Sequence, residues 1–154
     1  MFSLGRWYAI SDGDPRAYAL FKRHYPALPY RKRPRANGPL FCGPGEKLVL
    51  MTSDCLAVLV WKKFIDKSGQ QGINCGIFRN EGPYLSSELL LEAETLAWQR
   101  WPGERLYTYV NPRKVKTGRP ATGKPNPGKC FIKAGWTRLK IVTTKGQIIL
   151  EKLP

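Results

Sequence analysis

Apolar and polar positions fall into short dense runs before the middle of the chain and into one helical stripe just after it. Lys47–Thr52 and Leu56–Trp61 are rich in leucine and β-branched side chains, and Ser53-Asp54 between them suits a hairpin turn. Gly72–Phe78 predicts a third strand, followed by the loop Arg79-Asn-Glu-Gly-Pro-Tyr84. From Leu85 to Trp98 the apolar residues Leu85, Leu89, Ala93, Leu96 and Ala97 recur at helical spacing, which places Glu88, Glu92 and Glu94 on other faces. Ser86, Ser87 and Glu88 suit the start of this helix, and Trp101-Pro102-Gly103 ends it. Leu106–Val110 reads as a strand stopped by Asn111-Pro112. Asn126-Pro127-Gly128 predicts the cap and first position of a short helix that runs to Ala134 and closes at Gly135. Trp136–Leu150 then holds two strands that turn at Lys145-Gly146.

Strands on both sides of a long helix predict the α+β (α/β) class, and 154 residues suit a single domain spanning 1–154. The 42% hydrophobic and 12% aromatic content excludes a disordered basic tail. The longest apolar run, Leu56–Trp61, is far too short to span a membrane, and the N-terminus has no basic region followed by a long apolar segment. A soluble, cytoplasmic protein is expected. Cys42, Cys55, Cys75 and Cys130 are widely spaced without a C-x-x-C pair, so reduced core thiols are expected rather than a zinc ribbon or a disulfide framework.

Charge changes this picture. The chain has 26 Lys and Arg against 11 Asp and Glu, a net charge of +15, and the excess is uneven. No acid lies between Pro15 and Gly45, where Lys22, Arg23, Arg31, Lys32, Arg33 and Arg35 fall. None lies between Arg105 and Leu150, which holds Arg113, Lys114, Lys116, Arg119, Lys124 and Lys129 among others. Both stretches are rich in Pro and Gly, so they predict basic loops at about 22–45 and 112–129. Two such loops around an acidic helix, with Tyr25 and Tyr30 interleaved in the first, point to nucleic acid or another polyanion.

The order of elements in the second half resembles the acyltransferase fold of the GCN5-related N-acetyltransferase superfamily. The resemblance places Gly76-Ile77-Phe78-Arg79 on a strand that splays from its neighbour in a central, mostly antiparallel sheet. It places Glu81 to Ser87 at the turn where backbone N–H groups hold the pyrophosphate of acyl-CoA. Ile77, Phe78, Arg79, Gly82, Ser86 and Ser87 are the donor-binding candidates it implies. The superfamily loop reads Q/R-x-x-G-x-G/A, whereas this chain has Gly82 followed by Pro83, which lacks an N–H. A closer resemblance is to Mom-like phage proteins, which modify adenine in phage DNA and thereby block restriction. It is carried by Arg23-His24-Tyr25, Leu106-Tyr-Thr-Tyr-Val-Asn-Pro-Arg-Lys-Val115 and Asn126-Pro-Gly-Lys-Cys-Phe-Ile-Lys-Ala-Gly-Trp136.

These segments supply the catalytic candidates His24, Tyr25, Asn111 and Cys130. His24, the single histidine, sits in a basic Pro-rich stretch that favours neutral imidazole, so it suits a general base, a phosphate contact or a metal ligand. Tyr25 offers a phenol or a stacking face, with packing under the loop as the alternative. Asn111 suits an adenine edge, and a neutral amide there is a poor metal ligand. Phe131 stands where the superfamily often has the tyrosine that protonates the departing thiolate, so either Cys130 or Tyr25 takes that role, or the leaving group needs no such acid, or the protein has lost turnover. Tyr107 and Tyr109 share a strand face and read first as core aromatics. The implied partners are DNA and, if the donor is glycyl-tRNA rather than acyl-CoA, tRNA as well. Family resemblance adds iron as a cofactor, with His24 and Tyr25 as its candidate ligands. The alternatives are a non-catalytic nucleic-acid-binding protein on the same scaffold and an acetyltransferase of a small amine or protein lysine.

Overall fold

A computed structural model describes residues 3–23, 45–63, 69–112 and 128–154. Within them the chain forms β1 (Ser3–Leu4), β2 (Trp7–Ile10), α1 (Pro15–Arg23), β3 (Glu46–Thr52), β4 (Ala57–Lys63), β5 (Ile73–Asn80), α2 (Ser86–Arg100), β6 (Leu106–Val110), α3 (Lys129–Lys133), β7 (Thr137–Val142) and β8 (Ile148–Lys152). The strands make one sheet in the order β1-β2-β3-β4-β5-β6-β8-β7. Every neighbouring pair is antiparallel except β5 and β6, which are parallel. The α+β class follows directly.

Alternation along the strands separates two cores. Trp7, Leu50, Leu59, Trp61, Ile73, Cys75, Leu106 and Leu150 face α2 and α3. Val49, Met51, Val58, Val60 and Ile77 face Ala17, Leu20 and Phe21 of α1. The indole N–H groups of Trp7 and Trp61 donate to the Leu89 and Ala93 carbonyls at 2.8 and 3.1 Å, so two large side chains both fill the core and fix α2 along the sheet.

The β3–β4 hairpin forms where expected. Its turn closes through Cys55 N–H to the Thr52 carbonyl at 2.9 Å, with Cys55 at φ 62°, the left-handed position that such turns usually give to glycine. The N-terminal elements β1, β2 and α1 are additional to the sequence expectation. α1 opens on Asp14, whose carboxylate accepts from the Arg16 N–H at 2.9 Å, and Pro15 occupies the first helical position.

Three further expectations change. The helix predicted from Leu85 begins at Ser86, and Leu85 is exposed rather than part of the stripe. Glu94, expected on a polar face, is only 2% exposed and accepts from Trp136 Nε1 at 2.6 Å and Lys152 Nζ at 2.7 Å. A buried carboxylate persists there because a cation and an indole satisfy it. The short helix starts at Lys129 after Gly128, which is left-handed at φ 75°, while the expected cap and first position, Asn126 and Pro127, lie outside the described residues. Its end agrees with the sequence: Gly135 N–H donates to the Ile132 carbonyl and Trp136 N–H to the Phe131 carbonyl, both at 3.0 Å, with Gly135 at φ 95°.

Lys22, Arg23 and Lys129 therefore belong to helices α1 and α3 rather than to loops. Among the described residues, no helix is long and apolar enough to cross a membrane.

Candidate active site

The parallel pair joins only at its base. Ile73 pairs with Leu106 and Asn74 with Tyr107, and the register ends there. Ile73 N–H donates to the Arg105 carbonyl at 2.7 Å, and the Arg105 guanidinium donates to Glu151, the Gln71 carbonyl and Gln70. Its guanidinium also lies 5.0 Å from the centre of the Tyr107 ring. At the next step the Cys75 carbonyl is taken by the Thr108 hydroxyl at 2.7 Å, so a side chain stands where a strand ladder would continue.

Beyond this point each strand follows its other neighbour. β5 stays with β4 as far as Asn80 opposite Ala57, while β6 stays with β8 as far as Val110 opposite Ile148. The cause lies in β5. Trp61 pairs with Cys75 but Val60 with Ile77, so Gly76 is an extra residue in the strand. In an unbroken strand Ile77 would share the face of Ile73 and Cys75; the inserted residue sends it to the α1 core and returns Phe78 to the α2 face. The result is a V-shaped gap with Ile77–Asn80 on one wall and Thr108–Val110 on the other.

The α2 side of the gap is aromatic. Phe78 meets Phe131 edge-on at 6.2 Å, and Phe131 meets Trp136 at 4.9 Å. Phe131 is 7% exposed and has no proton to give, so its place in this cluster is structural. Cys130 beside it is half-buried, and burial pushes its thiol up to about 11. Cys75 is pushed higher still, first by burial and then by the nearby Cys130 and Glu94. Both are neutral thiols at physiological pH, unsuited to nucleophilic attack. Cys55, Cys75 and Cys130 are free, and Cys55 lies at the half-buried hairpin turn rather than in the core.

At the wide end of the V, the turn before α2 is built around Asn80. Its amide oxygen accepts from Gly82 N–H at 2.9 Å, and its nitrogen donates to the Tyr84 carbonyl at 2.7 Å and Ser86 Oγ at 3.0 Å. Gly82, a donor-binding candidate, therefore has its N–H engaged within the turn. Leu85 at the N-cap offers no side-chain acceptor, so the first α2 N–H groups, those of Ser86 and Ser87 included, keep the anion-attracting character of a helix start. The acids nearby are paired: Glu81 with Arg79 at 3.0 Å, and Glu88 with Arg6 at 3.4 Å. Arg6 also stacks 4.6 Å over Tyr84.

Of the predicted site residues, the fold gathers Phe78, Arg79, Gly82, Ser86, Ser87, Asn111 and Cys130 around the V. Ile77 is nearby, but its side chain belongs to the α1 core. Asn111 ends β6, half-buried and already engaged. Tyr107 is fully buried and meets Tyr109 edge-on at 5.7 Å, as expected of core aromatics. His24, Tyr25, Arg31, Lys32, Arg33, Arg35, Arg113, Lys114, Lys116, Arg119 and Lys124 lie outside the described residues, as does Cys42. Asn74, Asn80, Arg105 and Thr108 were not anticipated. For Asn80, the run Asn-x-Gly-Pro before a helix is a turn signal that could have revealed it. Among the described residues, no group of three or more His, Cys, Asp or Glu side chains can hold a metal ion; His24 and Tyr25, the candidate iron ligands, lie outside them.

Compared with protein-family models, curated proteins and solved structures, the chain matches none.

Proposed function

We propose that this chain is an acyltransferase of the GCN5-related N-acetyltransferase fold, of the Mom-like kind, which transfers an acyl group to N6 of adenine in DNA and so protects the DNA from restriction. The observation that carries the reading is the parallel strand pair, the only one among the described residues, parted after two residue pairs by the extra Gly76, with a helix start facing the opening. Such a gap admits an extended acyl donor between two strands, and the net charge of +15 supplies attraction for a polyanionic acceptor.

In this reading the adenine amine attacks the donor carbonyl, the C–N bond forms as the bond to the leaving group breaks, and the amine proton passes to a base, the role given to His24. The leaving group takes up a proton in turn. Cys130, held as a neutral thiol, suits a strongly basic alkoxide better than a thiolate, because its own proton is tightly bound. Pro83 and the engaged Gly82 N–H leave fewer donors for a pyrophosphate than the superfamily loop provides. Both features favour glycyl-tRNA, an ester of a ribose hydroxyl, over acyl-CoA.

With a glycyl donor, the free amine of the transferred glycine attacks adenine C6 through a five-membered ring. The C6–N6 bond then breaks as the attacking amine gives up a proton and N6 takes one up, so the original N6 becomes the terminal amide of an acetamido-type modification.

Phe131 and the altered turn also favour a second reading, a non-catalytic nucleic-acid-binding protein on the same scaffold. Restriction separates the two. Plasmid from cells expressing the chain should resist enzymes whose sites contain adenine, and complete cutting across a broad panel of such enzymes would count against the acyltransferase.

A further inference from the structure

Among the described residues, three buried side-chain atoms lack a hydrogen-bond partner: Asn74 Oδ1, Glu92 Oε2 and Trp101 Nε1. Glu92 has Arg6 at 3.9 Å, and Trp101 lies at the far end of α2 under the Arg100 guanidinium. Asn74 alone stands at the vertex of the V. It is 9% exposed, and among the described residues its Oδ1 has no hydrogen-bond partner. A buried amide without partners is destabilising, so its presence needs a compensating use.

Its surroundings suggest that use. Ile73 and Cys75 face α2, so Asn74 faces the opposite side, between Lys62 on β4 and Tyr107 on β6 in register. Gly76, next along that strand, is exposed. Among the described residues, a Cβ added there would meet nothing nearer than Asn74 Nδ2 at 3.9 Å. The amide thus keeps a buried oxygen without a partner while its nitrogen lies beside an exposed residue without a side chain.

We infer that Asn74, rather than the engaged Asn111, reads the acceptor base, its amide accepting from adenine N6–H and donating to N7. That edge pairs one donor with one acceptor, the complement of a carboxamide. A base reaches it unstacked, from single-stranded DNA or by flipping. The inference rests on the proposed adenine chemistry for its choice of base, whereas its test reads binding alone.

The probes are short labelled thymidine oligonucleotides carrying one central deoxyadenosine, 7-deazadeoxyadenosine or thymidine, titrated by fluorescence anisotropy. The wild-type chain should bind the deoxyadenosine probe about tenfold more tightly than the all-thymidine probe. That preference should disappear with 7-deazadeoxyadenosine, which lacks the N7 acceptor, and in Asn74→Leu, whose thermal midpoint should equal or exceed that of the wild type. Equal affinities in the wild type, or a preference that survives either change, would overturn the inference. The 7-deaza probe uses unaltered protein, so a folding defect in the variant cannot hide the answer. An Asn74-dependent preference without modified nucleoside would contradict the enzyme and keep this contact; modified nucleoside without the preference would do the reverse.

Discussion

The two ends of β5 are built on opposite principles. At Ile73 and Asn74 the strand is paired on both sides, and Arg105 ties the base of β6 to Gln70, Gln71 and Glu151. From Ile77 to Asn80 it keeps only β4 in register, and its other edge faces a gap floored by Phe78 and Phe131. One end pairs both of its backbone edges within the sheet; the other withholds an edge from it. A sheet interrupted in this way loses strand pairing but gains a slot whose walls are held by rigid neighbours, a suitable setting for positioning a donor and an acceptor.

Deleting Gly76 should break this contrast most completely. The present faces of Ile77 and Phe78 already match those of an unbroken strand one residue shorter, so ΔGly76 should fold with an unchanged core and lose the bend. Modified nucleoside should fall by about a hundredfold or more, the scale of a misplacement near 1 Å, while cooperative unfolding persists. Full activity in ΔGly76 would show that the extra residue does not shape the site.

The closed end should respond in the other currency. Arg105→Ala removes three hydrogen-bond partners and leaves Glu151 without its cation, at a cost of about 1–3 kcal/mol in denaturant unfolding. A change below about 0.5 kcal/mol would mean that the vertex is held by the backbone alone.

A smaller effect concerns Cys130, on the helix beside the gap. Burial raises its folded-state pKa to about 11, whereas the unfolded thiol titrates near the ordinary value of 9.0. Between these values the unfolded chain has lost a proton that the folded chain retains, so stability should fall as pH rises from 9 to 11. Alkylation of Cys130 in the folded protein should be slow at pH 8 and accelerate toward pH 11, as read by peptide mass spectrometry. Rapid labelling at pH 8 would show that the thiol is not buried in this way.

Much of the closed half was legible in the sequence, because local signals agree there with tertiary packing. The β3–β4 hairpin follows from two apolar runs around Ser53-Asp54, and the α3 terminus from Gly135 before an aromatic residue. α1 carries a signal of its own in Asp14-Pro15 followed by Ala17, Leu20 and Phe21, partly masked by the basic residues Lys22 and Arg23 at its end. Glu94 was misplaced because periodicity assigns a carboxylate to water and cannot see Trp136 and Lys152 arriving from 42 and 58 residues away.

The open half was legible only in outline. Gly76 in a strand hints at a bulge, yet the direction of its bend depends on which strands flank it. Asn74, at the vertex where the two halves meet, looks like any polar strand residue until its unpartnered Oδ1 is seen. Chemistry concentrated at a break in the ladder escapes patterns that describe the ladder.

Mass spectrometry of nucleosides from DNA of cells expressing the chain, compared with cells carrying ΔGly76, tests the proposed acyl transfer most directly. The expected result is an adenosine species bearing an acetamido-type addition, present with the native chain and lost with the deletion. Unmodified adenosine alone with the native chain, under conditions where the protein is folded and expressed, would contradict the acyltransferase reading.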